Sequence, residues 1–326
     1  MRTGATVQQA LLSLLGLLLG LLLGLLDLVS ANSSFSPSFS ISASKYKPVI
    51  MMHGVGSDHH EMDTILRLLN ATHPGTVATS LPLFGGEPGS WDHDLNTQVA
   101  GTVQAIRTLV AANPNAYANG YHLVCKSQGA LICRCVIEEM DDHRVHTVVS
   151  LAGPQVGVFG DAYFSAMREW GLPGWLVKGT TDLMWLVAYN SLGQKNSVAN
   201  MWRDPHHLDA FRKHDVFLPK YTSEASARMK RNFVRVQKMV FCVGSGKPFD
   251  GGIEPWQTGA WGQWGGSGGD QMVNMTAQPF YIADTFGLKT LHESGRLNLT
   301  IVPGASHGDW TSNEAIINEY VLPHCT

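Results

Sequence analysis

Short apolar runs alternate with segments of helical periodicity along most of the chain, from residue 48 onward. Consecutive strands that are separated by helices cannot pair as hairpins, so this alternation favours a parallel sheet with helices on both faces. We therefore expect a mostly parallel central sheet. The predicted strands are 48–53, 76–83, 121–125, 145–152, 238–243 and 297–302, and the predicted helices are 61–70, 92–112, 128–140 and 313–322.

The alternation breaks between about residues 157 and 230, where tryptophan and methionine are frequent. An apolar insertion at this place predicts a helical cap over one edge of the sheet. Ordinary packing helices are the alternative, because Trp and Met also fill cores. Either way, residues 46–326 are predicted to form a single domain. Residues 259–269 are rich in glycine and are predicted to form a flexible loop.

The N-terminal segment has the pattern of a secretory signal peptide. A Leu/Gly run extends from Leu11 to Leu26, shorter than the roughly 20 apolar residues of a membrane span. Val29 and Ala31 give the small-residue spacing of a cleavage site. We expect residues 1–31 to be removed, residues 32–45 to be a Ser-rich disordered leader, and the mature chain to have no stable membrane span. An uncleaved anchor is the alternative.

Two further features of the sequence agree with entry into the secretory pathway. Four sequons provide candidate glycosylation sites at Asn32, Asn70, Asn274 and Asn298. The five cysteines fit an oxidising compartment, with at most two bridges. Cys125 and Cys133 are the favoured pair, because the first ends a strand and the second lies about two turns into the next helix. Buried free thiols are the alternative.

Composition and motifs exclude several classes of function. A net charge of −3 offers no basic face, so nucleic acid is not an expected partner. The pairs His59-His60 and His206-His207 are adjacent in sequence, and adjacent side chains point in different directions. No His-Glu-x-x-His pattern accompanies them. We therefore expect neither a catalytic metal nor a cofactor.

A serine between a strand and a helix is the strongest chemical signal. Ser127 stands in Cys-Lys-Ser-Gln-Gly, where a sharp turn lifts the nucleophile of α/β-hydrolases clear of the sheet. The residues two before and two after it must be small, and Gly129 meets that need while Cys125 replaces the usual first glycine. A helix N-cap is the alternative role for this serine.

A serine nucleophile needs a histidine base and a carboxylate that orients it, and in this fold they follow in the order Ser, acid, His. His307 follows the last predicted strand, where the fold places its base. Asp250 follows the strand before that and is the predicted acid. Asp309 and Asp284 are the competitors: the first is only two residues from the histidine, and the second lies in a helical segment.

The oxyanion hole of such a site is made of backbone N–H groups. The residue after the nucleophile, Gln128, is predicted to supply one donor. Val55, in the loop after the first strand, is predicted to supply the other. In the same loop Gly54 allows close backbone approach and His53 is expected to be structural.

The chain resembles the palmitoyl-protein thioesterases, most closely the type-2 branch, from about residue 48 to the C-terminus. Several strings spread along the chain in the same order carry the resemblance. They are His53-Gly54, residues 72–77 (THPGTV), 122–129 (HLVCKSQG), 140–143 (MDDH), 204–207 (DPHH), 255–257 (PWQ), 286–291 (FGLKTL) and Ser306-His307.

The resemblance implies lysosomal hydrolysis of long-chain acyl thioesters, with S-palmitoylated protein, peptide or acyl-coenzyme A as substrate. It places nucleophile, acid and base on Ser127, Asp250 and His307, and oxyanion donors on Val55 and Gln128. It also makes a Cys125–Cys133 bridge more plausible. Lys126 stands where that branch tends to carry an aromatic residue, and the Gly-rich stretch also departs from its pattern, so substrate preference stays open.

The density of apolar residues in the cap predicts where an acyl chain binds. Trp256, Trp261 and Trp185 are the candidates for its groove. Two other functions remain open for the same residues. One is hydrolysis or transfer of oxyesters by the same triad in the secretory pathway or lysosome, and the other is a catalytically inactive hydrolase fold used for binding.

Overall fold

Parallel strands form the central sheet in the computed structural model, which describes residues 45–86, 89–160, 182–245, 256–269 and 271–326. The sheet order is β2-β1-β3-β4-β5-β8, and every neighbouring pair is parallel. The prediction of a mostly parallel sheet is confirmed. Its strands are β1 (Val49–Met52), β2 (Ala78–Ser80), β3 (Tyr121–Lys126), β4 (Val145–Leu151), β5 (Lys238–Ser245) and β8 (Leu297–Pro303).

Helices fill the connections between these strands. The four that matter most below are α1 (Asp63–Thr72), α2 (Leu95–Ala112), α3 (Gln128–Glu139) and α4 (Ala227–Phe233). Residues 182–188 are also helical. The shorter α-helices are Gly89–Asp92, Pro114–Tyr117, Ser197–Met201, Leu208–His214, Leu218–Tyr221, Pro279–Ile282, Leu288–Glu293, Asp309–Ser312 and Glu314–Ile316. Tighter or wider turns occupy His59–Met62, Gly193–Lys195, Trp256–Ala260, Ser267–Gly269, Met275–Ala277, Ile317–Val321 and Leu322–His324.

One prediction about local structure was wrong. The stretch 259–269, expected to be a flexible loop, contains strand β6 (Gln263–Gly265), which pairs antiparallel with β7 (Gln271–Val273). The predicted C-terminal helix over 313–322 is helical, and its hydrogen-bond spacing changes along its length from an α-helical turn to a π-helical turn at Ile317–Val321 and a 3₁₀ turn. The helix begins after Asn313, whose side-chain Oδ1 accepts hydrogen bonds from the N–H groups of Ala315 and Ile316.

The central strands of the sheet are buried on both faces, each face under its own apolar cluster. Successive residues of β1 point to opposite sides, so Ile50 and Met52 join one cluster while Val49 and Met51 join the other. Residues of α2 and α3 pack in the first cluster, and residues of α1 and of the C-terminal helical turns pack in the second. This double coverage confirms the predicted layer of helices on each face.

The strand order reverses at β1, and this reversal decides where a ligand can bind. β2 lies on one side of β1 and β3 on the other, so the chain leaves these two strands toward opposite faces. In open parallel sheets such a switch point opens a crevice at the carboxyl ends of the two strands. The loops after β1 and β3, which carry Val55 and Ser127, border this crevice.

A buried arginine on α3 joins the sheet layer to the segment predicted as a cap. Arg134 is 1% exposed and donates to Glu138 Oε1, to the carbonyl of Tyr221 and to the carbonyl of Gln155, each at 2.7 Å. Its guanidinium also lies 5.4 Å from the ring centre of Trp261. The described part of 157–230 consists of short helices, and its role as a cap stays a prediction.

Removing Arg134 tests this connection. In Arg134→Met, Glu138 keeps a buried charge without its partner, so the free energy of unfolding is expected to fall by about 3–5 kcal/mol in a urea titration. The double variant Arg134→Met/Glu138→Leu removes both charges and should regain most of that loss. Arg212→Met, which breaks an exposed pair with Asp209, is the control and should change little. A single variant as stable as wild type would contradict the prediction.

Asp215 is a buried carboxyl within the segment predicted as a cap. Its Oδ1 accepts from the N–H groups of Phe217 and Leu218 at 2.8 and 2.9 Å. Oδ2 is buried and accepts no hydrogen bond from the described residues. Burial raises the pKa of Asp215 to about 7. The folded state therefore binds a proton that the unfolded state, with an ordinary pKa of about 3.9, has already lost.

This difference predicts a fold that is more stable in acid. Because the raised pKa means more protons bound in the folded state, Asp215 should lower the free energy of unfolding as pH rises from about 4 to about 7. The slope is at most about 1.4 kcal/mol per pH unit. Asp215→Asn should remove this component, whereas the exposed-site control Asp209→Asn should keep it. Urea titrations across this pH range measure it, and parallel curves for wild type and Asp215→Asn would contradict it.

Candidate active site

The turn between β3 and α3 holds Ser127 in an unusual backbone conformation. Its φ is 52° and its ψ is −127°, a region that non-glycine residues avoid because of steric clash. The Ser127 N–H donates to the carbonyl of Leu151 at the end of β4, at 2.9 Å. Strain of this kind persists only where the surroundings enforce it, and it is typical of functional sites.

Two glycines let the backbone pass close to this turn. A Cβ atom at Gly129 would lie 2.2 Å from the carbonyl oxygen of His53, so no side chain fits there without moving β1 or α3. A Cβ atom at Gly54 would lie 3.1 Å from Cβ of Ser127. The loop after β1 and the turn after β3 are therefore in contact. Gly129 is structurally required, and a side chain at Gly54 would need its neighbours to shift by a few tenths of an ångström.

A disulfide spans the same turn. The sulfur atoms of Cys125 in β3 and Cys133 in α3 are bonded to each other. The remaining cysteines of the described residues, Cys135, Cys242 and Cys325, are free and buried. The bond fixes the end of the strand to the second turn of the helix, so it limits how far the strained turn can relax.

In the loop after β1, the Val55 backbone donor lies between two donors that have acceptors. The Gly54 N–H donates to Glu61 Oε2 at 2.8 Å, and the Gly56 N–H donates to Ser90 Oγ at 2.7 Å. Between them, the Val55 N–H has no acceptor among the described residues. A loop whose neighbouring donors are fixed by side chains can hold the middle donor in place for a ligand oxygen.

The predicted second donor begins α3. The N–H of Gln128, in the first turn of the helix, has no acceptor among the residues that the structure describes. Its side chain is 2% exposed and donates to the carbonyl of Ser90 at 3.2 Å and to Gln98 Oε1 at 3.1 Å. Ser90 thus supports both predicted oxyanion donors, through its hydroxyl on one side and its carbonyl on the other.

His53 lies inside the same loop and has a structural environment. Its Nδ1 is 2.8 Å from the carbonyl oxygen of Gly54, and its Nε2 is 2.7 Å from the carbonyl oxygen of Leu83. The ring is buried and connects the loop after β1 to the segment after β2. This agrees with the structural role expected for it.

His307 lies in the loop after β8, as the order of the predicted triad requires. Two contacts position this loop: Asp309 Oδ2 accepts from the Ser306 N–H at 2.7 Å, and Thr311 Oγ1 is 3.4 Å from Nζ of Lys126. The second contact brings the histidine loop to the residue that precedes Ser127. No hydrogen bond joins the Ser127 hydroxyl to another described residue, so the pairing of Ser127 with His307 stays a prediction.

The predicted acid, Asp250, lies outside the described residues. Its two competitors are described, and both have other partners. Asp309 accepts from the Ser306 N–H, which lowers the pKa of its carboxyl. Asp284 pairs with Lys230 at 2.8 Å and accepts from Thr290 Oγ1 at 2.6 Å. β5, which precedes Asp250, lies next to β8, which precedes His307, so the sheet order keeps Asp250 available for its predicted role.

Trp261, a predicted acyl-groove residue, is fully buried. Its ring packs 5.4 Å from those of Phe241 and Phe286, centre to centre. It also lines a cavity of about 280 Å³ beside β5 and β8, together with Phe241, Leu297 and Leu299. In the sheet register Phe241 is level with Cys125, two strands away, which corresponds to about 10 Å.

The other two groove candidates are Trp185 and Trp256. Trp185 stacks on His207, with ring centres 4.3 Å apart, and His207 Nδ1 is 2.8 Å from Asp204 Oδ2. The side chain of Trp256 lies outside the described residues. The placement of the acyl groove therefore stays a prediction.

The remaining sequence-based sites lie at the surface. Asn70, Asn274 and Asn298 are exposed, as a glycan acceptor must be, while Asn32 and the predicted signal peptide lie outside the described residues.

Within the described ranges, no three His, Cys, Asp or Glu side chains come together as metal ligands would. Within the same ranges, no helix has the length and apolarity needed to cross a membrane.

Sequence reasoning missed Glu61 and Ser90, the two side chains that bind the N–H groups on either side of Val55. A signal for Glu61 existed. Lys126 ends a strand that is otherwise buried and apolar, and a buried cation requires a counter-charge. The sequence gives no indication of which of the acidic residues supplies it.

Comparisons with known proteins agree with this architecture. A family model described as palmitoyl protein thioesterase matches residues 48–307. The lysosomal thioesterases PPT2 of Rattus norvegicus and Homo sapiens are each 34% identical to the chain over 282 residues, which covers 85% of this chain and 87% of theirs. Among solved structures, lipase BlEst2 of Bacillus licheniformis is similar, with a TM-score of 0.44, 16% identity, and coverage of 90% of this chain and 96% of that one. The chain belongs to the palmitoyl protein thioesterase family.

Proposed function

We propose that this chain hydrolyses long-chain fatty acyl thioesters through an acyl-enzyme formed on Ser127. The observation that carries the proposal is the strained turn at Ser127, which lies against a loop whose Val55 N–H is uncommitted while the N–H groups beside it are fixed. A nucleophile and a preorganised donor in contact are what acyl transfer requires. Membership of the thioesterase family supports the choice of substrate.

In the first step, Ser127 Oγ attacks the thioester carbonyl carbon while His307 takes the hydroxyl proton. Asp250 orients the imidazole and stabilises its positive charge. The N–H groups of Val55 and Gln128 donate to the oxyanion. The C–S bond then breaks, and the leaving sulfur takes the proton from His307, which returns to its neutral form; the sulfur needs little help from an acid to leave, because a thiol has an ordinary pKa of about 8.5. In the second step His307 takes a proton from water as the water attacks the acyl-enzyme, and it gives that proton to Ser127 Oγ as the fatty acid leaves.

The substrate partner is proposed to be an S-palmitoylated protein or peptide, or an acyl-coenzyme A. Relatives named lysosomal thioesterases, together with the sequons and the signal-peptide pattern, support delivery through the secretory pathway to the lysosome. The apolar chain would bind by burial of its methylene groups, each contributing roughly 0.8 kcal/mol. Trp185, Trp256 and Trp261 are the proposed groove residues.

Substitution of the nucleophile tests the proposal directly. Ser127→Ala should lower the rate on palmitoyl thioester about a thousandfold or more, because the acyl-enzyme cannot form. A fluorophosphonate probe should label wild type and the control Ser294→Ala, but not Ser127→Ala. Unlabelled wild type at both acid and neutral pH would instead support a catalytically inactive binding protein.

Assays of the wild-type enzyme can distinguish thioester hydrolysis from oxyester hydrolysis. Both reactions pass through the same acyl-enzyme, so the triad does not distinguish them. The two reactions are distinguished by measuring rates side by side on a palmitoyl thioester and on the p-nitrophenyl ester of palmitic acid. We expect a higher kcat/KM for the thioester, and the reverse order would favour an esterase or acyltransferase.

Acyl-chain discrimination tests the groove. Trp185→Ala should lower kcat/KM for palmitoyl thioester more than for butyryl thioester, because only the long chain reaches the apolar surface that is lost. The matched control Trp185→Phe keeps an aromatic ring and should stay close to wild type on both. A chain-length series of acyl thioesters provides the measurement, and equal losses on all lengths would refute this placement.

A further inference from the structure

A buried ion pair lies directly beside the candidate nucleophile. Lys126, the residue before Ser127, pairs through Nζ with Glu61 Oε1. The two side chains are only 8% and 16% exposed. Surface pairs contribute little, but a pair removed from water to this extent is strongly coupled, and loss of one partner leaves a charge that water does not solvate.

The second carboxylate oxygen of Glu61 belongs to the site itself. Oε2 accepts from the Gly54 N–H at 2.8 Å, one residue before the proposed oxyanion donor Val55. A Cβ atom built at Gly54 would lie 3.5 Å from this oxygen and 3.1 Å from Cβ of Ser127. One carboxylate thus joins the loop after β1 to the end of β3, and these two distances place its Oε2 within about 7 Å of Cβ of Ser127.

This position has an electrostatic consequence. Attack by Ser127 places a full negative charge on the former carbonyl oxygen, and a bare carboxylate nearby would destabilise that charge. The ammonium group of Lys126 cancels the carboxylate's charge and leaves its hydrogen bond to Gly54 intact. Lys126 Nζ also lies 3.4 Å from Thr311 Oγ1, so the same group contacts the loop that carries His307.

We propose that Lys126 and Glu61 are positioning residues for the oxyanion hole. Glu61 fixes the loop that aims the Val55 N–H, and Lys126 neutralises Glu61 so that the developing oxyanion meets no net negative charge. The inference rests on the function proposed above. It goes beyond that function by assigning to this chain a charged pair that acts through Val55 and Ser127 without contacting the substrate.

The elements around the pair carry other titratable groups. They are Asp58, His59, His60 and Asp63 on the turn and helix that carry Glu61, His53 on the loop after β1, and His307 and Asp309 on the loop after β8. Asp58 and Asp63 are already engaged with the His60 N–H and ring. His53 is engaged with two carbonyl groups, and Asp309 with the Ser306 N–H. Lys126 is therefore the cation in direct contact with Glu61.

Three variants of the pair separate charge from structure. Lys126→Met leaves the carboxylate without its counter-ion, Glu61→Gln keeps an oxygen acceptor for the Gly54 N–H without the charge, and Lys126→Met/Glu61→Gln removes both charges. Each is assayed for kcat and KM on palmitoyl thioester at about pH 4.5 and about pH 7. Thermal unfolding of each variant, followed by circular dichroism, shows which of them fold.

Lys126→Met is expected to lower kcat about 100-fold at about pH 7 with little change in KM, similar to the loss of one oxyanion donor. Glu61→Gln and the double variant should each stay within about tenfold of wild type. The control Lys220→Met, which breaks the pair with Glu139 away from the site, should match wild type.

A purely structural role would lower the thermal midpoint and the amount of active enzyme equally at both pH values, without rescue of kcat by Glu61→Gln. That result, or a Lys126→Met enzyme as active as wild type, would overturn the inference. If Lys126→Met does not fold, Glu61→Gln and the double variant still test the inference. A double variant whose kcat is about 100-fold lower than that of wild type refutes the inference. An active Ser127→Ala enzyme would instead refute the proposed function.

Discussion

The backbone turn at Ser127 is the constraint on which the rest of the site depends. A residue held at positive φ costs about 1–3 kcal/mol, which the surrounding structure must offset. Three features do so: the hydrogen bond from the Ser127 N–H to Leu151, the bond between Cys125 and Cys133, and the close passage of α3 over His53 that Gly129 permits. Each joins β3 or α3 to a neighbouring element, so the strain is carried by the sheet rather than by one loop.

The loop after β1 shows how a backbone donor can be prepared for a substrate. Unpaired N–H groups in a partly buried loop are costly, and here Glu61 and Ser90 satisfy those on both sides of Val55. The loop is thereby fixed before any substrate arrives, and its remaining donor is not lost to an internal contact. The buried charge of Glu61 in turn requires Lys126, so the donor, the carboxylate and the ammonium group form one connected unit.

The central strands were predictable, whereas the short strands β2, β6 and β7 were not, for a physical reason. β1, β3 and β4 are covered on both faces, so their sequences are largely apolar, and the structure has them within a few residues of the prediction. β2 is an edge strand of three half-buried residues, much shorter than predicted. The β6–β7 hairpin contains glycine and glutamine and lacks the alternation that indicates a strand, so glycine content suggested a loop.

By itself, the sequence determined the parallel sheet, the serine between strand and helix, and the histidine after the last strand, because these depend on residues near one another in the chain. The tertiary structure alone decided the partners: Glu61 for Lys126, 65 residues apart, and Ser90 for both Gly56 and Gln128. Such contacts follow from strand order and from the close approach of loops. No local pattern encodes which of several acidic or hydroxyl side chains arrives beside a given backbone group.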